Sequence, residues 1–337
     1  MIPLIDVAPL FGPAGEARDA ADAAMFAAAT GSGFLTITAP PALLPATAAR
    51  RAALLHIFDL PDAESRRLWR QRYDPAQPNI YRGWYPATPG MTRVTGYDVG
   101  PDVAHPRSPD ADSDPLLEPT PFPSEPALPG WRDAAAAYYI DMERLGGTIM
   151  RSFARSLGLA EDHFAAAFSG GNSTLRMMDY PIPNESDLAA DDPTRTYVQH
   201  KGETRIVLTG AHIDSGFVTL LAQDGVEGLQ ALAASGEWLD VPPREGTLAV
   251  NFGGLLERWT GGRIRATSHR VLAPGRRRHS IPFFYEPRVD AVIRPLPGNP
   301  DFAPFPYGDH LWTAMMKFGT FKGMENQRTP RGVAQAA

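Results

Sequence analysis

The chain has 337 residues, 43% hydrophobic and 21% charged, with a net charge of −6, which gives no global pull toward nucleic acid or an anionic membrane. It contains no cysteine, so disulfides, thiolate metal sites, iron–sulfur clusters and cysteine nucleophiles are excluded. No 18-residue apolar window and no basic-then-apolar leader occurs, so a cytoplasmic protein without a membrane span is expected.

In chain order, "IPLIDVAPLF" predicts a short strand ending in a turn. "EARDAADAAMFAAATG" predicts a helix with Gly31 just past its end, and "GFLTITAP" a strand stopped by Pro40. Residues 42–58 and 62–72 are expected to be helices, the second capped by Asp62. From 73 to 130 the chain is dense in Pro, Gly, Asp and aromatics. A loop of that length with interleaved Tyr and Trp is expected to pack on the body and line a site rather than act as a linker. Apolar residues then recur every three or four positions over 131–157, which predicts a long amphipathic helix, with a short helix at 160–168. After about 173 the period changes to two. "TLRMMDYP", "TRIVLTGAH", "FVTLLAQD", "TLAVNFG" and "HSIPFFYEP" are among at least eight short strands at even spacing, as in a sandwich, jelly roll or barrel. The tail "GDHLWTAMMKFGTFKGM" returns to helix. One domain is expected over 1–337, with a helical, loop-rich part (1–172), a β core (173–290) and a tail with a helix (291–337).

"GAHIDSGFVTLL" places His212 and Asp214 two apart in a strand-like run, so both side chains share a face. A carboxylate on the inner face of a small β structure is costly unless compensated, and a divalent cation compensates it. His269, in "RATSHRVLAP", offers a third ligand. Two histidines and one carboxylate hold one face of an octahedral ion and leave three positions open. An isolated HxD is more commonly a solvated surface pair, so the neighbouring stretches decide. Arg278 and Ser280 in "RRRHSIPFFYEP" share a strand face, and a guanidinium beside a hydroxyl clamps a carboxylate well. The bland alternative is a solvated basic strand end, the expected fate of Arg276 and Arg277. Tyr180, before Pro181, could add a further hydrogen bond. His163 and His310 are expected on helical surfaces, and His279, out of phase with Arg278 and Ser280, is expected to face away from the site.

The run from "HIDSGFVTLLAQD" through "GLQ", "EWLDVPP", "TLAVNFG", "RWTGG" and "SHR" to "RHSIPFF" resembles the isopenicillin N synthase-like family of Fe(II)- and 2-oxoglutarate-dependent dioxygenases. The resemblance implies a mainly β fold with α, a double-stranded β-helix (jelly roll) core with N-terminal helices packed on it. It implies that His212, Asp214 and His269 match the iron ligands. Arg278 and Ser280, joined by Tyr180, match the residues that hold the distal carboxylate of 2-oxoglutarate. Fe(II), 2-oxoglutarate and dioxygen would oxidise a small molecule, by hydroxylation or desaturation, with succinate and CO2 as co-products. Three features depart from the family pattern: Gly254 stands where Asp is usual, Glu227 where Gly is usual, and the stretch 181–211 is longer and is expected to form an extra hairpin near the mouth of the site. In "IYRGWYPATPG", Arg82 is expected to bind a substrate carboxylate, with Tyr81, Trp84 or Tyr97 as walls; structural packing of Arg82 is the equal alternative. Other readings are an isopenicillin N synthase-type oxidase that uses no 2-oxoglutarate, 2-oxoglutarate fragmentation of the ethylene-forming type, a non-catalytic jelly-roll binding protein, and a zinc hydrolase.

Overall fold

The computed structural model describes residues 1–106, 114–189, 192–299 and 302–333. Strand β1 (Leu4–Asp6) pairs in parallel with β2 (Phe34–Thr38), the two joined by helix α1 (Glu16–Gly31). Short helices α2 (Ala48–Leu55) and α3 (Asp62–Arg66) precede β3 (Gly83–Tyr85) and β4 (Thr95–Val99); the long helix α4 (Trp131–Ser156) and the short α5 (Ala165–Phe168) come next. Strand β5 (Thr174–Tyr180), helices α6 (Glu185–Ala189) and α7 (Pro193–Thr196), and the hairpin β6 (Tyr197–His200)–β7 (Glu203–His212) follow. Then come β8 (Val218–Gln223), β9 (Leu229–Leu232), β10 (Trp238–Asp240), β11 (Thr247–Phe252), helix α8 (Gly254–Trp259), β12 (His269–Leu272) and β13 (Arg278–Tyr285). The small hairpin β14 (Val292–Ile293)–β15 (Phe305–Pro306) leads into α9 (Tyr307–Met315).

The strands form an eight-stranded sheet, β1-β2-β11-β8-β13-β5-β4-β3, and a five-stranded sheet, β10-β9-β12-β7-β6. Alternation along the strands gives the large sheet two buried faces. Leu175 and Met177, Leu220 and Ala222, Leu248 and Val250, and Ile281 and Phe283 point into the main core, against α4. The opposite face meets the small sheet, where Phe34, Tyr180 and Ala249 pack with Leu208, Leu229 and Val271. Two curled sheets facing each other, with helices outside the larger one, are the expected jelly roll. Helix α4 offers Tyr139, Met142, Ile149 and Phe153 to that core. It comes close enough to the sheet to need Gly146, because a Cβ there would lie 2.5 Å from the Tyr285 ring. No helix among the described residues is long and apolar enough to cross a membrane.

Several local expectations shift. Helix α1 runs through Gly31, and Gly33 takes the left-handed conformation (φ 62°), its N–H bonded to the Ala28 carbonyl at 3.0 Å. The 42–58 helix begins only at Ala48, after Thr47, whose side chain accepts from the Arg50 N–H. The 62–72 helix is a single short turn; Pro61 is its cap residue and Asp62 lies inside it. It stops because the chain is drawn into the body, where the Arg70 N–H bonds the Trp84 carbonyl at 2.9 Å. The 73–130 stretch is not all loop: β3 and β4 extend the large sheet from β5, a long-range pairing that Pro- and Gly-rich local sequence conceals. Short helix 160–168 reduces to Ala165–Phe168 after a turn. The extra hairpin expected in 181–211 is present as β6–β7, turning at Lys201 and Gly202, whose positive φ values (52° and 82°) suit a tight hairpin.

Candidate metal centre

Strand β12 lies between β7 and β9, and its first residue, His269, sits directly opposite His212, the last residue of β7. The two imidazole ring centres are 4.2 Å apart. Asp214 does not share the strand expected from its i, i+2 spacing: β7 ends at His212 and Asp214 lies in the turn before β8. Backbone contacts bring it back. Gly254 donates its N–H to the Asp214 carbonyl at 2.8 Å, and Gly253 to the Phe217 carbonyl at 2.8 Å. A Cβ on Gly253 would sit 2.3 Å from the Gly216 carbonyl, so the turn can nestle there only against glycine. His310, expected on a helical surface, is instead half-buried on α9 with Nε2 2.9 Å from the Ser215 carbonyl, and so buttresses the same turn.

One ligand atom from each of His212, Asp214 and His269 lies within 4.8 Å of the others. Their neighbours orient them. His212 Nδ1 is 2.8 Å from the Gly210 carbonyl and His269 Nδ1 is 3.3 Å from the Thr267 carbonyl. Carbonyls only accept, so Nδ1 carries the proton on each ring and Nε2 keeps its lone pair. Asp214 Oδ2 accepts from Thr219 Oγ1 (2.6 Å) and Asn251 Nδ2 (2.7 Å). That leaves Oδ1 facing the two Nε2 atoms at 3.7 and 3.8 Å. Burial raises the Asp214 pKa, but the adjacent His269 and His212 and the two side-chain hydrogen bonds outweigh it and hold it below the ordinary carboxylate range. Burial lowers the His269 pKa, which favours the neutral ligand form. The donor set therefore fits a divalent ion with open coordination positions. Asn251→Ala is expected to weaken divalent-metal affinity roughly 10- to 100-fold, because Asp214 Oδ2 loses one of its two anchors; calorimetric metal titration measures this.

A cavity of about 660 Å³ opens beside this cluster between the two sheets. Strand β13 and the residue after it turn every second side chain into it: Arg278, Ser280, Pro282, Phe284 and Glu286. From β5 come Thr174, Arg176, Met178 and Tyr180. Arg278 stands opposite Tyr180 in the register. Its guanidinium is fully buried and 4.8 Å from the centre of the Tyr180 ring. Nη2 donates to Gln223 Oε1 at 3.3 Å, whereas Nε and Nη1 have no partner. Ser280 Oγ is 3.5 Å from Tyr180 OH. A buried cation with two unused donors is costly, and an anion within their reach would offset that cost. His279 faces away as expected, between Asp179 and Asp224 at 3.3 Å each. Arg277, expected to be merely solvated, pairs with Asp179 (2.7 and 2.9 Å).

At the other end Tyr81 lines the cavity, together with Tyr85. Arg82, Trp84 and Tyr97 are absent from its lining. Arg82 is buried, its Nη1 on Thr174 Oγ1 (2.5 Å) and its Nη2 on the Asn172 carbonyl and Oδ1 (3.2 Å each). Trp84 packs on Phe58, while Tyr97 packs on Trp131 and donates to the Pro121 carbonyl at 2.6 Å. The cause is parity: Tyr81 and Tyr85 share one side of the segment and Arg82 and Trp84 the other. Arg176 and Glu286 are two of the charged lining groups that no motif in the sequence marks as a site; Arg93, Asp192, Arg195 and Lys317 line the cavity as well. For Glu286 the signal was available, since the alternation that marked Arg278 and Ser280 reaches it three steps later.

Burial pushes the Glu286 carboxyl up from 4.5 to about 7, against the smaller opposing effects of Tyr307 and Arg82. The protonated carboxyl therefore contributes stability that is complete below about pH 4.5 and is lost as pH rises through about 7. Glu286→Gln is expected to match the wild type near pH 4.5 and to exceed its stability by on the order of 3 kcal/mol at pH 8. Denaturation of the metal-free protein across that range tests this; equal pH dependence in both proteins would contradict it.

The 2OG-Fe(II) oxygenase superfamily matches residues 184–287. The 2-oxoglutarate-Fe(II) type oxidoreductase ppzC of Metarhizium majus is 31% identical over 305 residues, covering 84% of this chain and 77% of that protein. Isopenicillin N synthase of Streptomyces clavuligerus is 28% identical over 300 residues, covering 88% and 87%. Against the 2-oxoglutarate-Fe(II) type oxidoreductase hxnY of Emericella nidulans, 36% identical, the chain spans 44% of the relative's length. Among solved structures, a full-length Neurospora crassa protein in complex with alpha-KG and thymine has a TM-score of 0.76 at 23% identity, over 92% of this chain and 95% of that one. A rice dioxygenase for auxin oxidation has a TM-score of 0.68 at 26% identity, over 96% and 99%.

Proposed function

We propose, from the premise that this chain belongs to the 2OG-Fe(II) oxygenase superfamily, that it oxidises a small molecule at the expense of 2-oxoglutarate and dioxygen. His212, Asp214 and His269 would hold the Fe(II). Arg278 and Ser280, with Tyr180, would hold the distal carboxylate of 2-oxoglutarate. The observation that carries this reading is the buried Arg278, a lining residue of the cavity beside the His–Asp–His cluster, whose guanidinium leaves Nε and Nη1 unpartnered. When bound, Fe(II) supplies the redox chemistry that couples decarboxylation of 2-oxoglutarate to hydroxylation or desaturation of the substrate. The protein's part is to orient and to exclude water. Thr219 and Asn251 fix the carboxylate, two backbone carbonyls fix the imidazoles, and the aromatic lining from Tyr81, Tyr85 and Phe284 keeps the reacting space dry.

The substrate is a small molecule that fits beside the two cofactors in this cavity. For comparison, the Neurospora crassa structure holds thymine. The test is release of succinate from 2-oxoglutarate by purified protein, with and without Fe(II). Iron-dependent succinate is expected even without substrate, as slow uncoupled turnover. Iron binding without any succinate would instead favour an oxidase that uses no 2-oxoglutarate, a reading kept open by the near full-length match to isopenicillin N synthase.

A further inference from the structure

The cavity has a second polar end. Glu286 is 5% exposed and lines the cavity, yet its Oε2 has no hydrogen-bond partner. The Tyr307 hydroxyl is close enough to favour the Glu286 carboxylate, but it does not reach the carboxyl with good hydrogen-bond geometry. The carboxyl is pressed close to the metal-side turn: a Cβ added at Gly216 would lie 2.6 Å from Glu286 Oε1. On β5, Arg176 also lines the cavity. It gives Nε and Nη2 to Asp98 (2.5 and 2.7 Å), and Asp98 is in turn clamped by Arg70. Among the described residues Arg176 Nη1 has no hydrogen-bond partner. The guanidinium is held between Tyr85 and Phe284, 5.6 and 5.2 Å from their ring centres, so it is aimed before any ligand arrives.

Nothing in the iron or 2-oxoglutarate sites uses these two groups. A buried carboxyl with an idle oxygen is expensive, and it becomes useful only when a donor reaches it. Two guanidiniums, Arg82 and Arg176, act on the carboxyl against the single negative charge of Asp214, so the surroundings oppose a cationic ligand and leave a neutral donor as the better match. We propose that Glu286 is a specificity-determining residue of the substrate cavity: it hydrogen-bonds a neutral N–H or O–H of the substrate, while Arg176 Nη1 holds a carbonyl or carboxylate oxygen of the same molecule. The substrate class is thus a small polar molecule of donor-plus-acceptor type, such as an amide or a lactam, rather than a hydrocarbon or an amine. This rests on the proposed function, because it assumes that the space beside the cofactors receives substrate.

The test uses two matched probes, 2-piperidone (donor and acceptor) and N-methyl-2-piperidone (acceptor only). Binding is read by ligand-observed NMR on the full chain loaded with Zn(II) and 2-oxoglutarate. The wild type is expected to bind 2-piperidone at least about tenfold more tightly. Glu286→Gln, which still offers an acceptor oxygen, keeps the preference; Glu286→Leu reduces it to within about twofold. Arg176→Leu weakens both probes alike. Equal binding of the two probes by the wild type, binding of neither, or an undiminished preference in Glu286→Leu overturns the proposal. Iron-dependent succinate release by the wild type is measured separately, so a failure of the proposed function is distinguishable from a failure of this one.

Discussion

Replacing Asp214 by alanine is expected to lower Fe(II)-dependent succinate formation by about a thousandfold or more, equivalent to roughly 4 kcal/mol of lost transition-state stabilisation. Two effects add. The ion loses its only anionic ligand among the three, leaving two neutral imidazoles whose pairing across β7 and β12 cannot by itself enclose a cation. Thr219 Oγ1 and Asn251 Nδ2 then lose their shared acceptor, so two buried polar groups are left facing an apolar methyl. Asp214→Glu should recover little. Its extra methylene moves the carboxylate by more than a metal site tolerates, and the Thr219 and Asn251 donors are placed for the shorter side chain. Iron titration and succinate yield, measured together, check both variants. Wild-type iron affinity in Asp214→Ala would remove the cluster as the metal centre.

The second large effect concerns Arg278. Arg278→Leu is expected to raise the Kd for 2-oxoglutarate by roughly 100- to 1,000-fold, in the range found when one partner of a buried charge pair is deleted. The same substitution should leave thermal stability unchanged, or raise it, when no 2-oxoglutarate is present. The reason is that the native guanidinium is fully buried with two unpartnered nitrogens, and leucine removes that burden. Opposite signs for cosubstrate affinity and for stability are hard to reconcile with a merely structural arginine, whose loss would lower both. Arg278→Lys should retain the charge but not the two-pronged geometry, and fall between the two. Calorimetric titration with 2-oxoglutarate and melting curves with and without it supply the comparison. A fall in stability of the ligand-free Arg278→Leu protein, with unchanged 2-oxoglutarate affinity, would assign Arg278 to structure.

Much of this site could be read one-dimensionally because a β-strand carries its own periodicity. Arg278 and Ser280 share a face for the same reason that Ile281 and Phe283 share the other; short, evenly spaced segments of that kind point to a sandwich, jelly roll or barrel, and the family resemblance narrows this to the jelly roll. Followed to its end, the alternation also reaches Glu286. His212 and Asp214 show how a right pairing can rest on an incomplete reason. Their closeness comes not from a shared strand face but from a turn held by Gly253 and Gly254, which lie far downstream in the chain.

The sequence by itself determined a β-rich core and the shared strand face of Arg278 and Ser280, because both follow from local periodicity, and it supplied the residue types of the three side chains that cluster, though not the turn that gathers them. Only the tertiary structure decided what surrounds the substrate space. For Arg82 the sequence left substrate binding and structural packing as equal alternatives, and Thr174 and Asn172, far along the chain, decide for packing by consuming its donors. Arg176 looked like any strand arginine, yet Asp98 and Arg70 fix it at the cavity wall with one nitrogen to spare. Those outcomes turn on which residues meet across the sheet and on which polar atoms burial leaves without a partner. Both are properties of long-range packing, which no window of the chain contains.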